Sequence, residues 1–112
     1  MIEIDKIQKL YNNYEITLKN EKDSLNILVN QIGKPIIFES TFSNDYLEEK
    51  FKEKKSIKEI INEISELIDR EKIEIKDKLL ILKKNDLIIE LKLEISLDSL
   101  IKLENRIEQQ FK

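Results

Sequence analysis

Gly33 and Pro35 are the single glycine and the single proline of this 112-residue chain. Glycine supplies left-handed backbone at tight turns, and proline punctuates loops and breaks helices. With one of each, both in the same short stretch, the chain has little material for long irregular loops. It must spend most of its length in strands and helices joined by short polar turns. Any function then sits on the faces and edges of those elements.

The same economy narrows the chemistry. Histidine, cysteine and tryptophan are absent, and with them go the commonest general base, the commonest metal ligand and the thiol nucleophile. One glycine cannot build a phosphate-cradling loop. Without cysteine there is no disulfide framework and no zinc cluster. Acid–base chemistry would have to rest on carboxylates, lysine or tyrosine. The carboxylate pairs Glu48-Glu49, Glu59-Glu63 and Glu104-Glu108 fall on polar helix faces rather than in a cleft, and the calcium-loop pattern is missing. Ser43, Ser56 and Ser96 are better explained as helix caps than as nucleophiles. The expectation is a non-enzyme with no catalytic residue, no cofactor and no metal.

Length and charge set the class. A chain of this size is read as one domain over residues 1–112, able to bury roughly two thirds of its unfolded surface. Apolar residues make up 40% and charged residues 38%, with a net charge of −3 and a pI near 5.2. Both signs are mixed, so no basic face announces a nucleic acid. The lysines from Lys50 to Lys58 are interleaved with glutamates and read as a solvated helix face. The acidic start is not a secretory signal, and the longest apolar run, Leu79-Leu80-Ile81-Leu82, is far too short to span a membrane. A soluble cytoplasmic protein without membrane insertion is expected.

Periodicity predicts the elements. Ile4, Ile7, Leu10 and Tyr11 have helical 3–4 spacing, predicting a helix over 2–12, although Ile2 and Ile4 also alternate and leave a short strand as the competing reading. Tyr14, Ile16 and Leu18 alternate, as do Leu25, Ile27 and Val29, and a polar turn at Asn20 to Asp23 makes them a β-hairpin. Ile36 to Phe42 is a third strand. Ser43-Asn44-Asp45 starts a short helix over 44–53. Ser56-Ile57-Lys58-Glu59 is a capping box ahead of the stripe Ile57, Ile60, Ile61, Ile64, Leu67 and Ile68, predicting a strongly amphipathic helix over 57–71. Period two returns at Ile73 and Ile75, in the run Leu79 to Leu82, and from Leu87 to Ile95, read as one strand. Leu100, Leu103 and Ile107, with Phe111 beyond, predict a terminal helix over 97–111. The order is α-βββ-αα-βββ-α: an α+β fold with an antiparallel sheet packed on one face by the helix at 57–71.

The two terminal helices carry narrow apolar stripes that a core of this size need not absorb. Ile4, Ile7, Tyr11, Leu100, Leu103, Ile107 and Phe111 are therefore candidate interface residues. Strands at 14–42, a helix pair at 44–71, and strands at 73–95 followed by a helix resemble, in element order, the head of the end-joining scaffold and centriolar cartwheel superfamily. That resemblance implies a head leading into a coiled-coil dimer. The order, small size and acidic pI are also similar to the dimeric class I secretion chaperones, which implies an apolar groove holding a partly unfolded client. The segments Tyr14-Glu-Ile, Phe42-Ser-Asn-Asp-Tyr-Leu and Ser56-Ile-Lys-Glu-Ile-Ile also look like small domains in multidomain proteins of AT-rich protists. The expected function is a non-catalytic protein-binding or assembly module, a homodimer, with a secretion-chaperone-like carrier of an extended client chain as the alternative.

Overall fold

Residues 6–96 are described by the computed structural model of the chain. Four strands come first: β1 (Lys6–Tyr11), β2 (Tyr14–Glu21), β3 (Ser24–Gln31) and β4 (Ile37–Ser43). Helices α1 (Asn44–Phe51) and α2 (Ile57–Asp69) follow, and then β5 (Ile73–Lys76), β6 (Leu79–Lys84), β7 (Leu87–Lys92) and β8 (Glu94–Ile95). All pairings are antiparallel, in a five-stranded sheet of order β1-β2-β3-β4-β8 and a three-stranded sheet of order β5-β6-β7. The fold is α+β on antiparallel sheets.

Two expectations are corrected. The helix predicted over 2–12 is a strand across its described part, Lys6–Tyr11. The 3–4 spacing was real but came from residues on both faces of β1: Ile7 and Tyr11 pack on the core, whereas Leu10 is exposed. A hairpin with β2, in register from Lys6↔Lys19 to Tyr11↔Tyr14, satisfies the backbone of this short segment better than an isolated helix of two turns could. The strand read from Leu87 to Ile95 is two strands in different sheets. Leu93 is buried at the break, and its N–H donates to the Lys78 carbonyl at 2.6 Å. The very next residue opens β8, which pairs with β4, Phe38↔Ile95 and Glu39↔Glu94. The chain thus crosses between sheets without a loop, and the described strands form two sheets rather than one. The terminal helix predicted over 97–111 lies outside the described residues.

Local chemistry explains the boundaries. The connections β1–β2, β2–β3, β5–β6 and β6–β7 are each two residues long, and each starts with a positive-φ residue: Asn12, Lys22, Asp77 and Asn85. Ser43 caps α1 by accepting from the Tyr46 N–H at 3.2 Å. At α2 the capping box is complete: Ser56 Oγ accepts from the Glu59 N–H at 3.2 Å, and the Ser56 N–H donates to Glu59 Oε1 at 3.4 Å. Gly33, with φ of 86°, occupies the β3–β4 connection, where the Lys34 N–H donates to the Gln31 carbonyl.

One apolar cluster joins the layers. It takes Ile16, Leu18, Leu25, Ile27 and Val29 from the larger sheet, Leu80, Leu82, Ile89 and Leu91 from the smaller, and Leu47 and Phe51 from α1. The α2 stripe from Ile57 to Ile68 completes it, and α2 touches β1, β2 and β3 on one side and β6 on the other. Among the described residues, no strand covers the free side of β1, and on the outer face of the larger sheet Leu10 is exposed whereas Thr17 and Asn26 are buried.

Candidate protein-interaction surface

The edge of β1 can be built from the register. The Ile32 N–H donates to the Asn13 carbonyl at 2.7 Å, one pair beyond Tyr14↔Gln31. Bonding in an antiparallel ladder repeats every two residues. The odd-numbered residues of β2 therefore bond β3, and its even-numbered residues Tyr14, Ile16 and Leu18 bond Tyr11, Lys9 and Ile7 of β1. By the same alternation Lys6, Gln8 and Leu10 turn their N–H and C=O groups toward the open edge. Among the described residues, no strand pairs with β1 on that side.

Side chains on the inner face hold this edge in place. Ile7 and Tyr11 pack against the core, and the Tyr11 hydroxyl donates to the Ile73 carbonyl of β5 at 3.2 Å. Lys9 Nζ sits 3.0 Å from Asp69 Oδ1 at the end of α2. The outer face is different. Leu10 is 69% exposed, and Ile32, at the same end of the sheet, is 56% exposed. Gln8 donates through Nε2 to Glu15 Oε1 beside them. Further across, the buried Asn26 amide donates to Glu39 Oε2 at 2.9 Å and to Thr41 Oγ1 at 3.1 Å. An exposed aliphatic corner therefore adjoins both the open edge and a hydrogen-bonded polar face.

Of the candidate interface residues, the structure brings Ile7 and Tyr11 together on β1, facing inward. Ile4, Leu100, Leu103, Ile107 and Phe111 lie outside the described residues. The open edge and the Leu10–Ile32 corner were not singled out from the sequence. The signal was present at Lys9-Leu10, where strand alternation runs backward: the charged residue faces in and the leucine faces out.

A second charged feature ties the helices to the smaller sheet. Lys55 Nζ lies 2.5 Å from Glu63 Oε2 and 2.9 Å from Glu53 Oε2, and Lys84 reaches both glutamates from β6. The four groups form a closed ring of alternating sign, with the Glu63 side chain only 14% exposed. Hydrogen bonds from Lys55 and Lys84 hold the Glu53 carboxyl below its ordinary value, and those from Lys55 to Glu63 and Glu53 raise the Lys55 ammonium. All four charges are spent on one another, which makes the ring a staple rather than a reactive centre. It also separates Glu59 from Glu63: the first caps α2, and the second closes the ring. Among the described residues, no group of three or more acidic side chains is placed to hold a metal ion, and no helix is long and apolar enough to cross a membrane.

The described residues define an α+β protein of two antiparallel sheets, with β1 unpaired on one side among them. No protein-family model, curated protein or solved structure matches the chain.

Proposed function

We propose that this chain is a non-catalytic protein-binding and assembly module that works as a homodimer. The observation carrying this reading is the edge of β1, unpaired among the described residues, beside the exposed Leu10 and Ile32. Unpaired strand edges template pairing with another chain, and exposed aliphatic corners beside them add area to be buried. The element-order resemblance to a scaffold head, drawn from the sequence, is part of this reading. In this reading Ile7 and Tyr11 seat the edge strand on the core, and Ile4, Leu100, Leu103, Ile107 and Phe111 extend the interface. Absence of histidine and cysteine supports a role without catalysis.

Sedimentation equilibrium of the full chain tests the reading. A dimer is expected at high protein concentration, and a monomer throughout sinks it. If Leu100→Asp with Ile107→Asp leaves a dimer intact, the C-terminal stripe is not its interface. The same open edge favours a second reading, a carrier that accepts an extended client segment as an added strand. That carrier should protect the bound segment from proteolysis, and failure to protect any extended peptide counts against it.

A further inference from the structure

We infer that β1 pairs antiparallel with β1 of a second copy, centred on Gln8, so that the two five-stranded sheets join across a two-fold axis. The inference rests on the homodimer reading and names its surface.

Among the described residues, four strands end a sheet: β1 and β8 in the larger, β5 and β7 in the smaller. β8 has two residues and β5 has four, whereas β1 and β7 have six each. Self-pairing of β7 about Glu90 would set two carboxylates directly opposite, which is destabilising, and about Ile89 would set the exposed Ile88 against the charged Glu90. β1 carries no proline, and its inward lysine, Lys9, is already neutralised by Asp69. Of the devices that blunt an edge it has lysine, at Lys6 and Lys9, but no proline and no bulge in its register with β2.

The register follows from two conditions. Joined sheets must keep inner residues opposite inner residues, so the two-fold axis must pass through a residue and not between two. The outward-bonding residues Lys6, Gln8 and Leu10 must also meet one another. Centring on Gln8 satisfies both: Lys6 faces Leu10 of the second copy, Gln8 faces Gln8, and Leu10 faces Lys6. Each of these pairs exchanges backbone hydrogen bonds in both directions. Centring on Lys9 would oppose two lysines. Centring on Ile7 takes Leu10 beyond the described strand. In the Gln8 register the exposed Leu10 is covered by the Lys6 stem, whose ammonium reaches toward Glu15, the cross-strand neighbour of that leucine.

The cysteine-free chain makes the test direct. In Gln8→Cys the paired Cα atoms would sit about 5.5 Å apart, within disulfide range. Mild oxidation of this variant should yield a cross-linked dimer. Ile88→Cys, 63% exposed on the other sheet, should cross-link only by random collision. Gln8→Pro deletes an N–H that β2 does not use. It should keep the wild-type circular dichroism while weakening dimerisation by about tenfold or more. Leu10→Lys should weaken it by opposing two lysines, and adding Lys6→Glu should restore it. This pair decides the matter if the proline variant fails to fold. A dimer that survives Leu10→Lys, with Gln8→Cys cross-linking no faster than Ile88→Cys, overturns the inference and leaves the homodimer reading standing. A wild-type chain that stays monomeric overturns both.

Discussion

Asn12, Lys22, Lys52, Glu71, Asp77 and Asn85 all take positive φ without being glycine. Asparagine and aspartate tolerate this conformation, but lysine and glutamate have no such compensation. The near-absence of glycine is thus met by strain at the turns rather than by longer loops. Lys52 shows it most plainly: it ends α1 at φ 58° and ψ 32°, and its N–H donates to the Glu48 carbonyl. Glycine is the ordinary residue at such a helix end. Relief of the left-handed strain, less the extra entropy of an unfolded glycine, should make Lys52→Gly more stable by about 0.5–1 kcal/mol. An upward shift of the urea midpoint checks this, and an unchanged or lower midpoint refutes it. The residue scale is also where the sequence misleads. Ile7, Leu10 and Tyr11 read as one helical face because Leu10 is placed outward, against the pattern of its own strand. Local consistency fails where a surface serves something other than the core.

At the scale of elements, legibility followed how much of each signal was local. α2 was readable because its capping box and six-residue apolar stripe lie in one continuous stretch from Ser56 to Ile68. The hairpins were readable from alternation and polar turns. The split at Leu93 was not, because alternation continues unbroken through Leu91, Leu93 and Ile95 while the hydrogen-bond partner changes from β6 to β4. Nor was the ring of Glu53, Lys55, Glu63 and Lys84, since β6 lies far along the chain from the helix it meets. The ring has a pH signature. The folded value of Glu53 lies below its ordinary 4.5, so its contribution is complete above that value and is lost as pH falls through the lowered one. The Lys55 value is raised above its ordinary 10.5, so its contribution is complete below 10.5 and is lost only as pH rises through the raised one. Stability should therefore plateau between these limits and fall on the acid side. Glu53→Gln should flatten that acid limb in urea midpoints taken from about pH 6 to pH 2. An acid limb as steep as in the wild type would show that the ring does not couple to folding.

The whole molecule depends on whether its two sheets fold as one. Their inner faces share a single apolar cluster with α2, Tyr11 bridges β1 to the Ile73 carbonyl of β5, and the chain passes from β7 to β8 through one buried residue. Such ties make separate unfolding of the smaller sheet costly, because it would expose the apolar stripe of α2 that touches both. In a Tyr11→Phe background, which removes the tyrosine bonded to Ile73 of the smaller sheet, the remaining tyrosines provide a one-sided probe: Tyr14 lies on the larger sheet and Tyr46 on α1, and there is no tryptophan to mask them. Leu80 is fully buried on the far sheet, opposite Ile75 and Leu91. Leu80→Ala should cost about 2–5 kcal/mol through lost transfer energy and the cavity left behind. If the sheets form one cooperative unit, tyrosine fluorescence and far-ultraviolet circular dichroism will report the same lowered midpoint in urea. A tyrosine transition that holds the midpoint of the Tyr11→Phe background while the dichroism shifts would mean that the smaller sheet unfolds on its own and leaves the larger sheet, with the edge of β1, intact.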